Sequence, residues 1–216
     1  MSSADRRERE RHEMREAILQ AALRLFLEES FERTTMRRIA EAIEYTPGAL
    51  YSYFKDKDEI LYALHEHGFS ILNRDMGAAL EAIPLSDPLA RFRALGRAYI
   101  RFALDNRELY DLMFISPRTG KKIIERPDWE PGHRAYDGLR HTVASVMTHL
   151  GNDGDVEIAT YTAWAACHGM VSLMICDRCA PVPDALHPDL IEKSFEFFIR
   201  VLESALTNVV TPTAAP

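Results

Sequence analysis

Apolar residues recur at intervals of three and four along most of this chain, and that spacing is the strongest limit on what it can fold into. Leu19, Ala22, Leu23, Phe26 and Leu27 fall on one face of a helix with 3.6 residues per turn, giving a first helix over about residues 10–29. Alternation of period two, the mark of a strand with one wet face, is nearly absent. The pattern predicts an all-α protein. With 216 residues, 47% of them hydrophobic, the chain is long enough for one ordinary domain, or for a small domain attached to a larger one.

Local punctuation sets the helix ends. Thr34 or Thr35 in "ERTT" can accept a hydrogen bond from a free backbone N–H, starting a second helix whose buried face is Met36, Ile39, Ala40 and Ile43. Thr46 is the next capping residue, and Pro47 suits a first helical position that needs no N–H, so a third helix is predicted from Pro47 to about Tyr53. Asp56 caps a fourth, with Ile60, Leu61, Leu64, Phe69, Ile71 and Leu72 on its apolar side. The prolines of "IPLSDP" end that helix and start a fifth, in which Phe92, Leu95, Tyr99, Phe102 and Ala103 share a face; "NRELYDLMF" then resumes it. Ser116 to Gly132 carries prolines and glycines without a clear period and predicts a loop with at most one helical turn. Long helices are expected over residues 132–150, 155–177 and 188–208, and a disordered tail over 209–216.

The net charge of −7 argues against a chain that coats nucleic acid non-specifically, but leaves room for a local cationic site. No run of eighteen apolar residues and no apolar segment after the basic start is evident, and there are three cysteines, which predicts a cytoplasmic protein with reduced thiols.

Met36 to Ile43 and Pro47 to Tyr53 are joined by three residues and supported by the longer helix before them, the helix-turn-helix arrangement. Leu50 and Phe54, four apart, anchor the second of the pair; Thr46, Pro47, Ala49, Tyr51 and Tyr53 point elsewhere, and Gly48 lets a partner come close. Tyrosine hydroxyls, a threonine cap, free N–H groups at two helix starts, Lys55 and Lys57 all suit phosphate oxygens.

The run "TTMRRIAEAIEYTPGALYSYFKDKDEIL" resembles the DNA-binding domain of the tetracycline-repressor (TetR) family of bacterial regulators, and the likeness covers roughly the first third of the chain. The resemblance implies an all-helical homodimer. Residues 1–60 would form the DNA-binding domain, with a flexible arm at 1–9, linked by a long helix to a larger domain over 61–208 for dimerisation and for a small effector, which an apolar and aromatic lining would make hydrophobic. It implies a repressor released by that effector from an approximately palindromic double-stranded operator. Carried over residue by residue, it makes Thr35, Thr46, Tyr51, Tyr53 and Lys57 phosphate-contact candidates, with Pro47, Gly48 and Ala49 facing the groove. Ala49 offers only a methyl, so base readout falls to Arg37 or Arg38, to Tyr51, or to DNA shape.

The chain departs from the family where Ala-Gly-Val is common and Ile43, Glu44 and Tyr45 stand here; a left-handed Glu44 would cost roughly 1–2 kcal/mol relative to glycine. Nor is the first domain basic overall: Met1 to Ile60 holds eleven Lys and Arg against thirteen Asp and Glu. "DRRERERHEMR" is either a mobile arm reaching phosphates or a minor groove, or a solvated, salt-bridged extension of the first helix.

In the second domain, "YTAWAACHGMVSL" and "YIRFALDNRELYDLMF" resemble the Trp-x-x-x-His-Gly branch of the family. Trp164 and His168, one turn apart, line either a ligand pocket with Tyr99, Phe102, Tyr110, Met113 and Phe114, or a packed core or dimer contact. Gly169 in mid-helix predicts that another helix passes close. The family implies that the last two long helices form a dimer bundle, with Phe195, Phe198, Ile199, Leu202 and Leu206 as the final helix's apolar stripe.

Cys176 and Cys179 in "CDRC", with Cys167 and His187, have thiol-sensor or metal-ligand spacing; the alternative to an effector-released repressor is a thiol- or metal-sensing regulator on the same scaffold. Ordinary buried or idle thiols account for the same residues. His65 and His67, two apart on a helix, point to different faces. GxSxG, HExxH, P-loop and dinucleotide glycine motifs are missing, so no catalytic residue, cofactor or metal is expected.

Overall fold

The computed structural model describes residues 3–116, 120, 123 and 130–207, with side chains from Asp5 to Ser204; the expected tail and most of the loop before Glu130 lie outside the described residues. All described elements are helical. They are α1 (Ser3–Glu29), α2 (Met36–Ala42), α3 (Pro47–Leu50), α4 (Lys57–Glu81), α5 (Pro88–Asp105), α6 (Arg107–Tyr110), α7 (Glu130–His149), α8 (Val156–Ile175) and α9 (Leu190–Thr207). A wider π-type turn, Asp111–Ile115, follows α6, and a tighter 3₁₀ turn, Asp184–Asp189, precedes α9. The described residues of Met1–Ser70 and Asn106–Trp129 form one compact unit, and those of Ile71–Asp105 and Glu130–Pro216 form another.

Side-chain oxygens start the helices by satisfying N–H groups that no helical carbonyl reaches. Thr35 Oγ1 accepts from Arg38 N at 3.1 Å, Thr46 Oγ1 from Ala49 N at 3.3 Å, Asp56 Oδ1 from Glu59 N at 2.8 Å and Asp155 Oδ1 from Glu157 N at 2.8 Å. Thr34 does something else: it is fully buried and donates to Leu25 O and Ser30 O, closing the end of α1. α3 is shorter than the sequence predicts, with turns continuing to Phe54 through Tyr53 N and Phe54 N, which both donate to Leu50 O. α7 begins at Glu130 rather than after a loop ending at Gly132, because Pro131 fits a first turn whose N–H groups have no partner anyway.

In the first unit, Ile18, Ala22, Ile39, Leu50, Phe54, Ile60 and Leu61 are fully buried, so α1, α2, α3 and the start of α4 share one core. The Arg15 guanidinium sits 4.3 Å from the Phe54 ring centroid. Lys57 Nζ donates to the carbonyls of Phe31, Glu32 and Thr34 at 2.7, 3.3 and 3.2 Å, tying the start of α4 to the turn after α1. α6 and the π-type turn lie against α4 where Gly68 has no side chain; a Cβ there would collide with Met113 Sδ and stand 3.1 Å from Leu109 Cγ. His65, on the same helix, is 1% exposed, and neither ring nitrogen has a hydrogen-bond partner.

In the second unit α5 buries Phe92, Leu95, Phe102 and Ala103. A Cβ on Gly96 would come within 2.5 and 2.6 Å of the Phe195 ring, so α9 sits as close to α5 as that glycine permits. Arg97 pairs with Glu192 at 2.8 Å and with Glu196, and Arg93 with Glu203, adding an ionic seam between the two helices. The expectation for Gly169 is corrected: a Cβ there would meet nothing within 4 Å among the described residues, so no described helix of this chain passes it. α8 is apolar and long enough, by length and composition alone, to cross a membrane. Its buried residues, Thr160, Ala163, Cys167 and Val171, belong to the packed interior of the second unit.

Strained and unpaired groups set two expectations for stability. Glu44 has φ +58°, the left-handed region in which an L side chain crowds its own backbone; Glu44→Gly is expected to stabilise the protein by about 1 kcal/mol in chemical denaturation, less whatever glycine adds to unfolded-chain entropy. Burial lowers the His65 pKa from 6.5 to about 4, and the Leu112 backbone opposes the shift without cancelling it. The folded pKa lies below the unfolded one, so stability is complete above about pH 6.5 and declines as pH falls towards 4, where the unfolded chain takes up a proton the fold refuses. Wild type should lose about 3 kcal/mol more than His65→Leu across that window in denaturation curves.

Candidate nucleic-acid interface

The exposed side of α2, α3 and the turns around them is built from residues whose partners leave their outer edges open. Thr35 and Thr46 are exposed, each committed through its hydroxyl oxygen to its own helix start. The hydroxyl hydrogens of these caps are free to turn towards an acceptor. Pro47 and Ala49 are half-buried, and Gly48 is exposed with nothing within 4 Å of where a Cβ would stand. Nothing in the folded chain itself requires glycine there for space. Tyr51 is 56% exposed and Tyr53 half-buried, while Leu50 between them points into the core.

The two arginines of α2 lean on neighbours at the surface. Arg37 Nε donates to Glu41 Oε1 at 2.9 Å, and Arg38 pairs with Glu29 at 3.0 Å. Exposed pairs of this kind contribute at most about 1 kcal/mol, so either guanidinium can exchange its carboxylate for a phosphate or a base edge. Lys57 differs. Its three ammonium donors are occupied by backbone carbonyls, and its Nζ lies 4.4 Å from the Phe31 ring centroid, so in the free protein it positions α4. Lys55, exposed as a phosphate partner needs to be, and Tyr45, 49% exposed, flank the same helix, and of the two only Tyr45 was not among the residues that pattern alone singled out. Tyr45 was visible only as a departure from the usual turn sequence. α1 is helical from Ser3, with Arg6–Glu10 and Arg9–Glu13 pairs at 3.5 Å along its exposed start.

The aromatic residues singled out for an effector divide between the two units. Tyr110, Met113 and Phe114 belong to the first, where Phe114 packs 4.9 Å from Tyr110 and 5.5 Å from Phe69, centroid to centroid. Tyr99, Phe102, Trp164 and His168 belong to the second. There Trp164 Nε1 donates to Tyr99 Oη at 3.2 Å, and the indole stands 6.1 Å from His168 and 6.4 Å from both Tyr136 and Tyr161. Tyr136 is the member that sequence reading missed, because nothing in local spacing links α7 to α8. His168 is half-buried, which lowers its pKa, and its Nε2 lies 3.3 Å from Ser172 Oγ. Burial pushes the Cys167 thiol up to about 12, leaving it a poor nucleophile, whereas Cys176 is exposed and Cys179 half-exposed. Among the described residues no group of three or more His, Cys, Asp or Glu is placed to hold a metal ion, and His187 Nε2 is 2.9 Å from Val182 O.

Residues 18–64 match the model of the bacterial regulatory proteins of the tetR family, and residues 92–202 match a tetracyclin repressor-like C-terminal domain. The HTH-type transcriptional regulator TcmR of Streptomyces glaucescens is 32% identical over 95 residues, 44% of this chain and 40% of that protein. The matched stretches span less than half the length of each of the curated relatives. Among solved structures, a protein of unknown function from Rhodococcus sp. RHA1 superposes with a TM-score of 0.68 at 24% identity, covering 90% of this chain and 95% of that one. The TetR family transcriptional regulator PfmR of Thermus thermophilus gives 0.60 at 22% identity, covering 90% and 99%. At those identities the likeness speaks for the fold. The two family matches, the second spanning half of the chain, settle the kinship: this protein belongs to the TetR family of DNA-binding transcriptional regulators and is not an enzyme.

Proposed function

We propose that two copies of this chain bind an approximately palindromic operator in the cytoplasm and repress transcription until a small effector binds. DNA contact is assigned to residues 1–60, and dimerisation and effector binding to residues 61–208. The observation that carries the reading is the presentation of α3. Its cap Thr46, its unobstructed Gly48 and the exposed Tyr51 face outward while Leu50 and Phe54 lock it to the core. A helix held this way can enter a major groove with its start against the phosphates. Thr35, Arg37, Arg38 and Tyr53 complete the proposed contact set, together with Pro47 and Ala49 against the groove floor, while Lys57, its three donors already committed to the carbonyls of Phe31, Glu32 and Thr34, contributes its charge alone.

The homodimer is supported by apolar faces that α8 and α9 leave uncovered. On α8, Ile158, Ala165 and Gly169 recur at seven and four residues, flanked by exposed Tyr161 and Leu173, so the open space at Gly169 lies mid-stripe. On α9, Phe195 and Ile199 are buried, Phe198 and Leu202 half-buried, and Phe197 and Val201 exposed beside a cleft of about 490 Å³ that Met170 and Leu186 also line. The Leu206 side chain lies outside the described residues. A second copy would cover both stripes. Two recognition helices would then have to meet successive grooves about 34–36 Å apart, and an effector favouring another separation would weaken binding. The aromatic cluster around Trp164 is the proposed effector contact within the second unit.

Selection of bound duplexes from a random pool should enrich an inverted repeat with wild type, and Tyr51→Ala with Tyr53→Ala should weaken its binding about tenfold or more without unfolding the protein. Absence of any enriched sequence at low salt would overturn the operator reading. For the dimer, Phe197→Asp should shift the mass seen by light scattering from two chains to one while helical content is kept; an unchanged dimer would move the interface elsewhere.

A further inference from the structure

The second unit contains a cleft that neither the DNA surface nor the proposed dimer faces explain. It lies between the later half of α4 and α5, with a volume of about 790 Å³. Its floor is small. Ala78 and Ala79 on α4 face Ala90, Ala94 and Ala98 on α5, so the space that larger apolar side chains would fill between two helices is left open. Its α5 rim carries Arg93, Arg97 and Arg101, one every turn, a row of about 12 Å from first to last.

The three arginines are not equivalent. Arg93 gives Nη2 to Glu203, and Arg97 gives Nε and Nη2 to Glu192 and Nη2 again to Glu196. Those α9 carboxylates hold the two guanidiniums in place while leaving Nη1 of Arg97 unused. Arg101 is exposed and has no ion-pair partner among the described residues. A guanidinium already oriented by a carboxylate loses less freedom when it takes a further acceptor. Charge limits what that acceptor can be. Asp75, itself paired with Arg74 at 2.9 Å, lines the cleft, and the three glutamates lie just behind the arginines, so a polyanion meets repulsion that a single carboxylate largely avoids.

We propose that this cleft binds an organic monocarboxylate with an apolar body, its carboxylate shared by Arg97 and Arg101 and its hydrocarbon part lying on the alanine floor towards Ile83. An eight-carbon chain matches the length of the row. The site is separate from the aromatic cluster around Trp164, and occupancy would act directly on the arginines that clasp α9.

The test titrates the full-length protein, without DNA, with octanoate, octanol and sulfate by calorimetry, so that its outcome does not depend on the repressor reading. Octanoate is expected to bind, while octanol and sulfate are not. Arg101→Gln, which removes no ion pair among the described residues, should weaken octanoate about tenfold or more, and Ala94→Leu, which fills the floor, should do the same. Melting curves for both variants verify folding, and if Ala94→Leu fails to fold, Arg101→Gln alone decides. Failure of octanoate to bind at millimolar concentration, equal binding of octanol, equal or tighter binding of sulfate, or octanoate affinity unchanged in Arg101→Gln would each overturn the proposal.

Discussion

The ammonium group of Lys57 has three N–H donors, and the folded chain uses all of them on the carbonyls of Phe31, Glu32 and Thr34. Those carbonyls belong to the turn after α1, where no following helix supplies partners, and the part-buried ones of Phe31 and Thr34 would each cost up to about 1–3 kcal/mol if left unpaired. The Phe31 ring lies beneath the same ammonium and against Phe26, so one cation closes both the polar and the apolar side of the turn. Everything between those two anchors depends on the closure. α3 spans only Pro47–Leu50 and could not persist in water alone. Its exposed face exists because α1 and α4 are fixed at either end of it. A positive charge used in this way still contributes to the potential near a phosphate backbone, although its hydrogen bonds are already made.

The second unit rests on a different kind of contact. Gly96 admits the Phe195 ring, and pairs from Arg93 and Arg97 to three glutamates run beside that notch. Successive residues on a helix are rotated by about 100°, so seating Phe195 and Ile199 inward dictates that Phe197 and Val201 point outward. The outer apolar face of α9 is therefore set by the packing of its inner one. The pairs themselves contribute little individually because they are partly exposed. They add to the hold of α9 on α5, while the register is set by the Gly96 notch, because the arginines repeat every turn and a one-turn slide would offer the same charges.

Glu44 and His65 are the places where local preference and the fold disagree. Glu44 occupies a left-handed conformation at the turn between α2 and α3, where glycine would meet no steric crowding, and His65 brings two unpaired nitrogens into the first core. The Glu44 conflict was legible beforehand, because the turn demands a particular backbone shape whatever the distant chain does. The His65 conflict was not. Helical spacing put it on a face of α4 different from His67 but could not say that α6 and the π-type turn would seal that face from water.

Much of the helix-turn-helix was readable from residues alone because its determinants are local: two threonine caps, a proline in a first turn, and Leu50 and Phe54 one turn apart. The same holds for the all-α class, since a period of three and four admits little else. What pattern could not supply was which distant residues meet. Seven aromatic, methionine and histidine side chains read as one lining fall into two units; Tyr99 finds Trp164 sixty-five positions away, and Tyr136 joins them without any spacing to announce it. Sequence by itself determined the helices, their caps and the family, because these depend on neighbours within a turn or two. Tertiary structure alone decided that Lys57 faces inward, that Gly169 lies in open space while Gly96 does not, and that alanines leave a cleft beneath a row of arginines, because those outcomes depend on which helices are brought against each other.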